Sequence, residues 1–381
     1  MLPSPRSQPV LTLRRLAART AVAALMALAL VVSLAAPASA HTVNGQGATN
    51  YHTTLDSVLP ATPGLRVKMI DLGSFIQVTW TGSTHLVIEG YQGEPYLRIG
   101  PDGVWRNKFS PATYLNQFRT YYAAVPSYAS ATATPDWVKL SSGRTATWHD
   151  HRTHWMGGPT PPVVLAAPHA FHHVFTWKVT MVSAGTPIVV TGTLDWIPGN
   201  NPWGWVALIA VLAVIGIVVG RSRWWAQGLA ALIGLLILVD MFHAVGTGLD
   251  VVGSPVHKVL LIFASSYYSI VAWVLGIVAI RLLVRRSPDG LFAAIFTSLV
   301  VGLFGGLADI IALARSQVPY LLGTVFDRGL ISISAGGSLG VLIGSLYAFR
   351  RNRPELDPEI AADVDVDAAG DGAIGAADAG G

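Results

Sequence analysis

Between residues 65 and 196 the chain alternates brief β-favouring runs with turn residues; from 203 onward it changes to long apolar stretches. Leu65 to Leu72, Phe75 to Trp80, His85 to Gly90, Tyr96 to Ile99, Trp137 to Leu140, Thr145 to His151, Phe171 to Val182 and Pro187 to Trp196 fit strands. Turn signals at Gly73-Ser74, Thr81-Gly82-Ser83, Pro101-Asp102-Gly103 and Ala184-Gly185 divide them, and no helical period intervenes. The pattern predicts a small all-β sandwich. Residues 110–136, rich in Ser, Ala, Thr and Pro, read as a long excursion between strands.

The later stretches run roughly Trp203 to Gly220, Ala226 to Thr247, Val259 to Val284, Leu291 to Ala314 and Gly329 to Phe349. Each approaches the ~20 residues that cross a bilayer as a helix, so residues 202–349 are predicted to form an α-helical transmembrane domain of about five helices. At the other end, Arg6, Arg14, Arg15 and Arg19 precede an apolar run from Ala21 to Ala36 and then Ala38-Ser39-Ala40. This predicts a signal peptide over 1–40, a mature chain from His41, and an extracytoplasmic domain over 41–200. Arg221, Arg223, Arg285, Arg286, Arg350, Arg351 and Arg353 then fall in loops on the cytoplasmic side, consistent with the positive-inside rule. Residues 350–381 form an acidic Asp/Ala/Gly tail, expected to be disordered and cytoplasmic. The chain is thus expected in the cell membrane as a multi-pass protein.

Composition sharpens this division. The 381 residues are 52% hydrophobic and 12% charged, and none is cysteine, so disulfides and thiolate ligands are excluded and a metal site must use nitrogen, oxygen or thioether. The net charge of +4 comes largely from the leader and the loops between spans, and is no argument for nucleic acid. No Gly-x-Ser-x-Gly elbow, phosphate loop or dinucleotide fingerprint occurs.

The densest chemistry is Trp148-His149-Asp150-His151-Arg152-Thr153-His154-Trp155-Met156. On a strand, His149 and His151 project from one face and Asp150 from the other. Two imidazoles so placed can hold one Cu(II) or Zn(II) ion if a third ligand joins them. His154 would lie opposite on a straight strand and come round if the chain bends at Gly157-Gly158. Trp148 and Trp155 are expected to wall the site. A second dense region, Tyr91, Glu94, Arg98, Trp105, Tyr114 and Asn116, can line a ligand or partner surface.

Two family resemblances bear on this. His52-Thr53-Thr54-Leu55-Asp56-Ser57-Val58-Leu59-Pro60 resembles the opening of the CopC family of periplasmic copper proteins, and Phe175 to Leu194 resembles that family's closing hairpin. Gly185 and Thr186 stand where the family has Asp and His ligands in that hairpin, so its copper site does not carry over. Trp148-His149-Asp150-His151 resembles the Trp-His-x-His of the B subunit of particulate methane and ammonia monooxygenases, in which a mature N-terminal histidine joins the pair. The resemblance implies copper as cofactor, with His149 and His151 as ligands, His41 or His52 third, and His154 or Asp150 assisting. It implies a membrane-anchored, extracytoplasmic copper-handling protein whose partners are the lipid bilayer and other copper-handling proteins. A non-metal interaction module using the aromatic surface, and a copper-dependent oxidase or monooxygenase, are the alternatives.

Within the apolar stretches, Asp240 and His243 lie at i and i+3 and share a helix face, and Asp309 is expected at similar depth. Ionised groups there are costly, so these three, with His257 or Asp327, are candidates for a metal or proton site. Gly336, Gly340 and Gly344 recur every four residues, a pattern of close helix packing.

Overall fold

The computed structural model describes residues 47–352 other than 119, 120, 158 and 252. The expected signal peptide, His41 and residues 353–381 of the expected tail therefore lie outside the described residues; the tail's first residues, Arg350 and Arg351, are not disordered as expected but continue the last helix.

Among the described residues, ten strands form two antiparallel sheets. The larger has the order β1 (Tyr51–Leu59), β10 (Thr186–Trp196), β9 (His172–Ser183), β4 (Leu86–Glu89), β5 (Pro95–Gly100), β6 (Gly103–Asn107), β7 (Trp137–Ser141). The smaller has the order β2 (Leu65–Ile70), β3 (Phe75–Trp80), β8 (Thr145–His149). The alternation along β3 and β10 is what burial of one face requires: Ile76, Val78 and Trp80 on β3, with Ile188 and Val190 on β10, are buried. Both sheets feed one core, in which Ile76, Val78 and Trp148 meet Leu86, Ile99, Trp177 and Met181. β1 and β6 were not among the strands read from the sequence. β1 is rich in Thr and Ser, whose hydroxyls pair across to Thr193 and Thr191 of β10, and β6 directly follows a turn that masks its start.

The strand expected to reach His151 stops at His149. Beyond it the chain turns, with the Thr153 amide donating to the Asp150 carbonyl at 3.1 Å. Two short helices, α1 (Ala112–Leu115) and α2 (Pro162–Ala166), interrupt the β region.

Among the described residues, five helices are long and apolar enough to cross a membrane. These are α3 (Trp203–Arg221), α4 (Trp225–Asp250), α6 (Tyr267–Val284), α7 (Asp289–Val300) continued to Leu313, and α8 (Thr324–Arg351). The third expected span, Val259 to Val284, is broken at Ser265-Ser266, and α5 (Pro255–Ser265) stands apart from α6. The continuation of α7 is a π-helical turn over Val301–Gly306 and then a 3-10 stretch over Leu307–Leu313. The glycine repeat on α8 packs against α3: a Cβ on Gly340 would stand 2.6 Å from the Ala213 carbonyl oxygen, and one on Gly344 2.4 Å from that of Gly216. Backbone approach of this closeness requires glycine.

The two regions are joined at one end of the helices. Thr49 bridges Gln317, the Ser316 amide donates to Asn50 Oδ1 at 2.9 Å, and the Ser316 hydroxyl donates to the Ile197 carbonyl at 3.0 Å.

Candidate metal centre

His149, His151 and His154 come together at the end of β8 and in the turn that follows. One ring nitrogen from each lies within 4.8 Å of the others, and among the described residues this is the one group of three or more such side chains placed so. Ring centroids are 5.0, 4.3 and 5.5 Å apart. An ion with metal–nitrogen bonds of ~2.0–2.1 Å holds its nitrogens ~3–4 Å apart, so only slight closure separates this arrangement from a coordination site.

The remaining nitrogens are tied to backbone carbonyls. His149 Nδ1 lies 2.6 Å from the Ser74 oxygen, His154 Nδ1 3.0 Å from that of Asp150, and His151 Nε2 2.7 Å from that of Phe118. A carbonyl only accepts, so each of these nitrogens carries a proton; in the neutral ring the lone pair is then on Nε2 of His149, Nε2 of His154 and Nδ1 of His151. His151 Nδ1 is buried and has no hydrogen-bond partner among the described residues. Burial also holds His151 below its ordinary pKa of 6.5, against the opposing pull of the Phe118 carbonyl and the Asp150 charge, so the ring is neutral at pH 7.

The turn is held by Asp150, which is fully buried. Its carboxylate accepts from the Arg152 amide, Nε and Nη2 at 3.1, 2.8 and 2.7 Å, and from Trp148 Nε1 at 2.9 Å. Burial raises its pKa, yet the Arg152 guanidinium and these bonds outweigh that and keep the carboxyl below the usual range. Arg152 reaches on to the Glu89 carbonyl at 3.2 Å and lies over the Tyr91 ring. Tyr91 in turn donates to Asn116 and accepts from the His151 amide at 3.1 Å. Asp150 therefore fixes the loop and is not among the three converging groups.

On the facing side, the turn between β2 and β3 supplies the Ser74 carbonyl. Asp71, Leu72 and Gly73 all have positive φ there. Gly73, at φ 89°, would place a Cβ 2.2 Å from Thr53 Cβ, so glycine alone fits. Thr53 donates to the Thr153 carbonyl at 2.9 Å, and Thr153 to that of Gly73 at 3.2 Å.

Of the trio, His149 lines a cleft of about 810 Å³ that opens between β6, β7 and β8, with Tyr96, Arg106, Asn116 and Phe118 also in its wall. Ring contacts on the trio come from Phe75, 5.7 Å from His149, and Tyr122, 4.6 Å from His151. Trp148 is instead in the core, and Trp155 Nε1 donates to the Pro159 carbonyl. Neither Phe75 nor Tyr122 carried a sequence signal linking it to the histidines.

His52 lies on β1 opposite Asp195 and is not in the trio. Of the aromatic-surface residues, Glu94 accepts from the Ser110 hydroxyl at 2.8 Å, and Arg98 lies over the Trp105 and Trp137 rings. In the helical region, His243 Nε2 stands 3.6 Å from Asp309 and 3.4 Å from Asp327. Asp240 accepts instead from Trp273 Nε1 at 2.7 Å. Comparison with protein-family models, curated proteins and solved structures returns no match.

Proposed function

We propose that the chain is a membrane-anchored copper-handling protein, in which an extracytoplasmic sandwich of the CopC-like or cupredoxin-like kind holds one Cu(II) on His149, His151 and His154. The observation that carries this reading is the convergence of three imidazoles, one ring nitrogen from each within 4.8 Å of the others, in rings oriented by backbone carbonyls. Three imidazoles form an intermediate donor set that Cu(II) fills more tightly than Zn(II) under the usual affinity order. A bound ion would keep open positions toward the neighbouring cleft, where a donor or acceptor of copper can reach it. In this reading His154 takes the third position, for which His41 and His52 were the sequence candidates, because the turn at Asp150 returns it to the face of His149.

The site's place in the fold fits delivery at a membrane. Thr53, bonded to Thr153 beside the trio, is three residues from Asn50, which immediately precedes β1 and bonds to Ser316; at ~3.3 Å per residue that is about 10 Å.

The test is titration of the full chain in detergent with Cu(II) and Zn(II), compared with His149→Ala, His151→Ala, His154→Ala and His52→Ala. One-to-one Cu(II) binding lost in the first three variants and kept in His52→Ala supports the assignment. Equal binding by all five proteins refutes it.

A further inference from the structure

We propose that the helical region carries a proton path, independent of whether the histidine trio binds copper. It begins at the β-region end, where His243 stands between Asp309 and Asp327, and continues through Asp240 to a row of serines on α8. Residues Asp327, Ser334, Ser338 and Ser345 are spaced seven, four and seven apart, which puts them on one helix face. That face is opposite the glycines that pack on α3. From Asp327 to Ser345 the helix rises about 27 Å at ~1.5 Å per residue, against a hydrocarbon core of ~30 Å.

Every member of this row is buried. The Ser334, Ser338 and Ser345 hydroxyls have no hydrogen-bond partner among the described residues. This is unusual for serine in a helix, which ordinarily donates back to a carbonyl one turn earlier. Ser265 and Ser298 of this chain do so, to Leu261 at 2.7 Å and Ile295 at 2.9 Å.

The π-helical turn packs against the same row. A Cβ on Gly305 would stand 2.2 Å from Asp240 Oδ1 and 3.7 Å from Ser334 Oγ, and one on Gly302 3.0 Å from Ser338 Cβ. The two glycines therefore let Asp240, Ser334 and Ser338 approach one seam, and π turns of this kind recur at functional sites. A pocket of about 40 Å³, lined by His243, Asp309, Asp327, Gly47 and Ala48, lies at the head of the row. Arg328, the nearby cation, is committed to the Ala312 and Arg315 carbonyls, and the Tyr320 hydroxyl donates to that of Phe242.

In each transfer one N–H or O–H bond breaks as the next forms. Successive members of the row are about 6–10 Å apart along the helix at ~1.5 Å per residue, so the proposed path includes bridging water molecules. Carboxylates and imidazole hold the proton in turn, and each serine hydroxyl or water gives up a hydrogen on one side as it accepts another; no oxidant enters, and an imposed potential or pH difference drives the flow.

The test uses the full chain in liposomes enclosing a pH-sensitive dye, with a potassium diffusion potential imposed, in the presence and absence of external Cu(II). Wild type is expected to acidify the lumen at least about tenfold faster than protein-free liposomes. Asp240→Asn, which keeps an acceptor for Trp273, should fall about tenfold, and Ser338→Ala several-fold, each with wild-type thermal unfolding. Wild-type flux at the protein-free rate in both conditions overturns the proposal, as does Ser338→Ala at the wild-type rate. Copper entry without proton entry overturns the proton assignment.

Discussion

At the scale of residues, the candidate metal centre depends on two groups that do not point into it. Asp150→Asn leaves the Arg152 guanidinium buried without its countercharge, a change that costs ~3–5 kcal/mol, and should lower the thermal midpoint of the full chain well below wild type. The same pair sets a pH dependence. The folded state holds the Asp150 carboxyl below its ordinary value, so its contribution is fully present above an unfolded pKa of ~3.9. It is lost as pH falls through the folded value. Thermal melts between pH 7 and pH 3 should show that acid loss in wild type and less of it in Asp150→Asn.

Gly73→Ala is the second residue-scale test. Its positive φ and the contact with Thr53 predict a loss of ~1–3 kcal/mol, with weaker Cu(II) binding because the Ser74 carbonyl moves. Unchanged melting and unchanged affinity would show that this turn does not position His149. The sequence displayed the three histidines and even the possibility that His154 returns. What it could not display was the cause, since Asp150 is satisfied by a neighbour two residues away while Arg152 is anchored at Glu89, more than sixty positions earlier.

At the scale of elements, period-two burial made most strands legible, because one face of each is apolar. It failed at β1, where Thr and Ser pair across the ladder, and at β6, whose start a turn masks; at the third apolar stretch, length alone did not reveal the break at Ser265-Ser266. The α3–α8 contact was legible as a glycine repeat and its partner was not. Gly340→Leu should separate these helices, since even a Cβ there meets the Ala213 backbone. The expected outcome is loss of a disulfide-trapped α3–α8 pair engineered at neighbouring positions, with helix content by circular dichroism retained. An intact cross-link would contradict the packing. The buried serines of α8 were invisible for a different reason: hydroxyls at helical spacing fit an apolar span, and only the register against the π turn marks them.

At the scale of the whole molecule, the β region and the helices meet through polar contacts of Thr49 with Gln317 and of Asn50 and Ile197 with Ser316. Asn50→Ala removes the acceptor for the Ser316 amide, a loss of ~1–3 kcal/mol if that amide stays buried. Hydrogen exchange should then quicken about tenfold or more at residues 47–50 and 314–317, while the β8 amides stay as protected as before. Equal protection in wild type and variant would mean that the regions are held by other contacts. The separation into a β region and an apolar helical region was plain from composition. How the two dock was not, because residues 49 and 317 are brought together only by the complete fold.

Electron paramagnetic resonance of the full chain loaded with one equivalent of Cu(II) tests the central claim most directly. The predicted result is a type 2 spectrum with coupling to three imidazole nitrogens, reduced to two in each of His149→Ala, His151→Ala and His154→Ala. A spectrum of hydrated copper in wild type, or one unaltered by all three substitutions, would contradict the assignment.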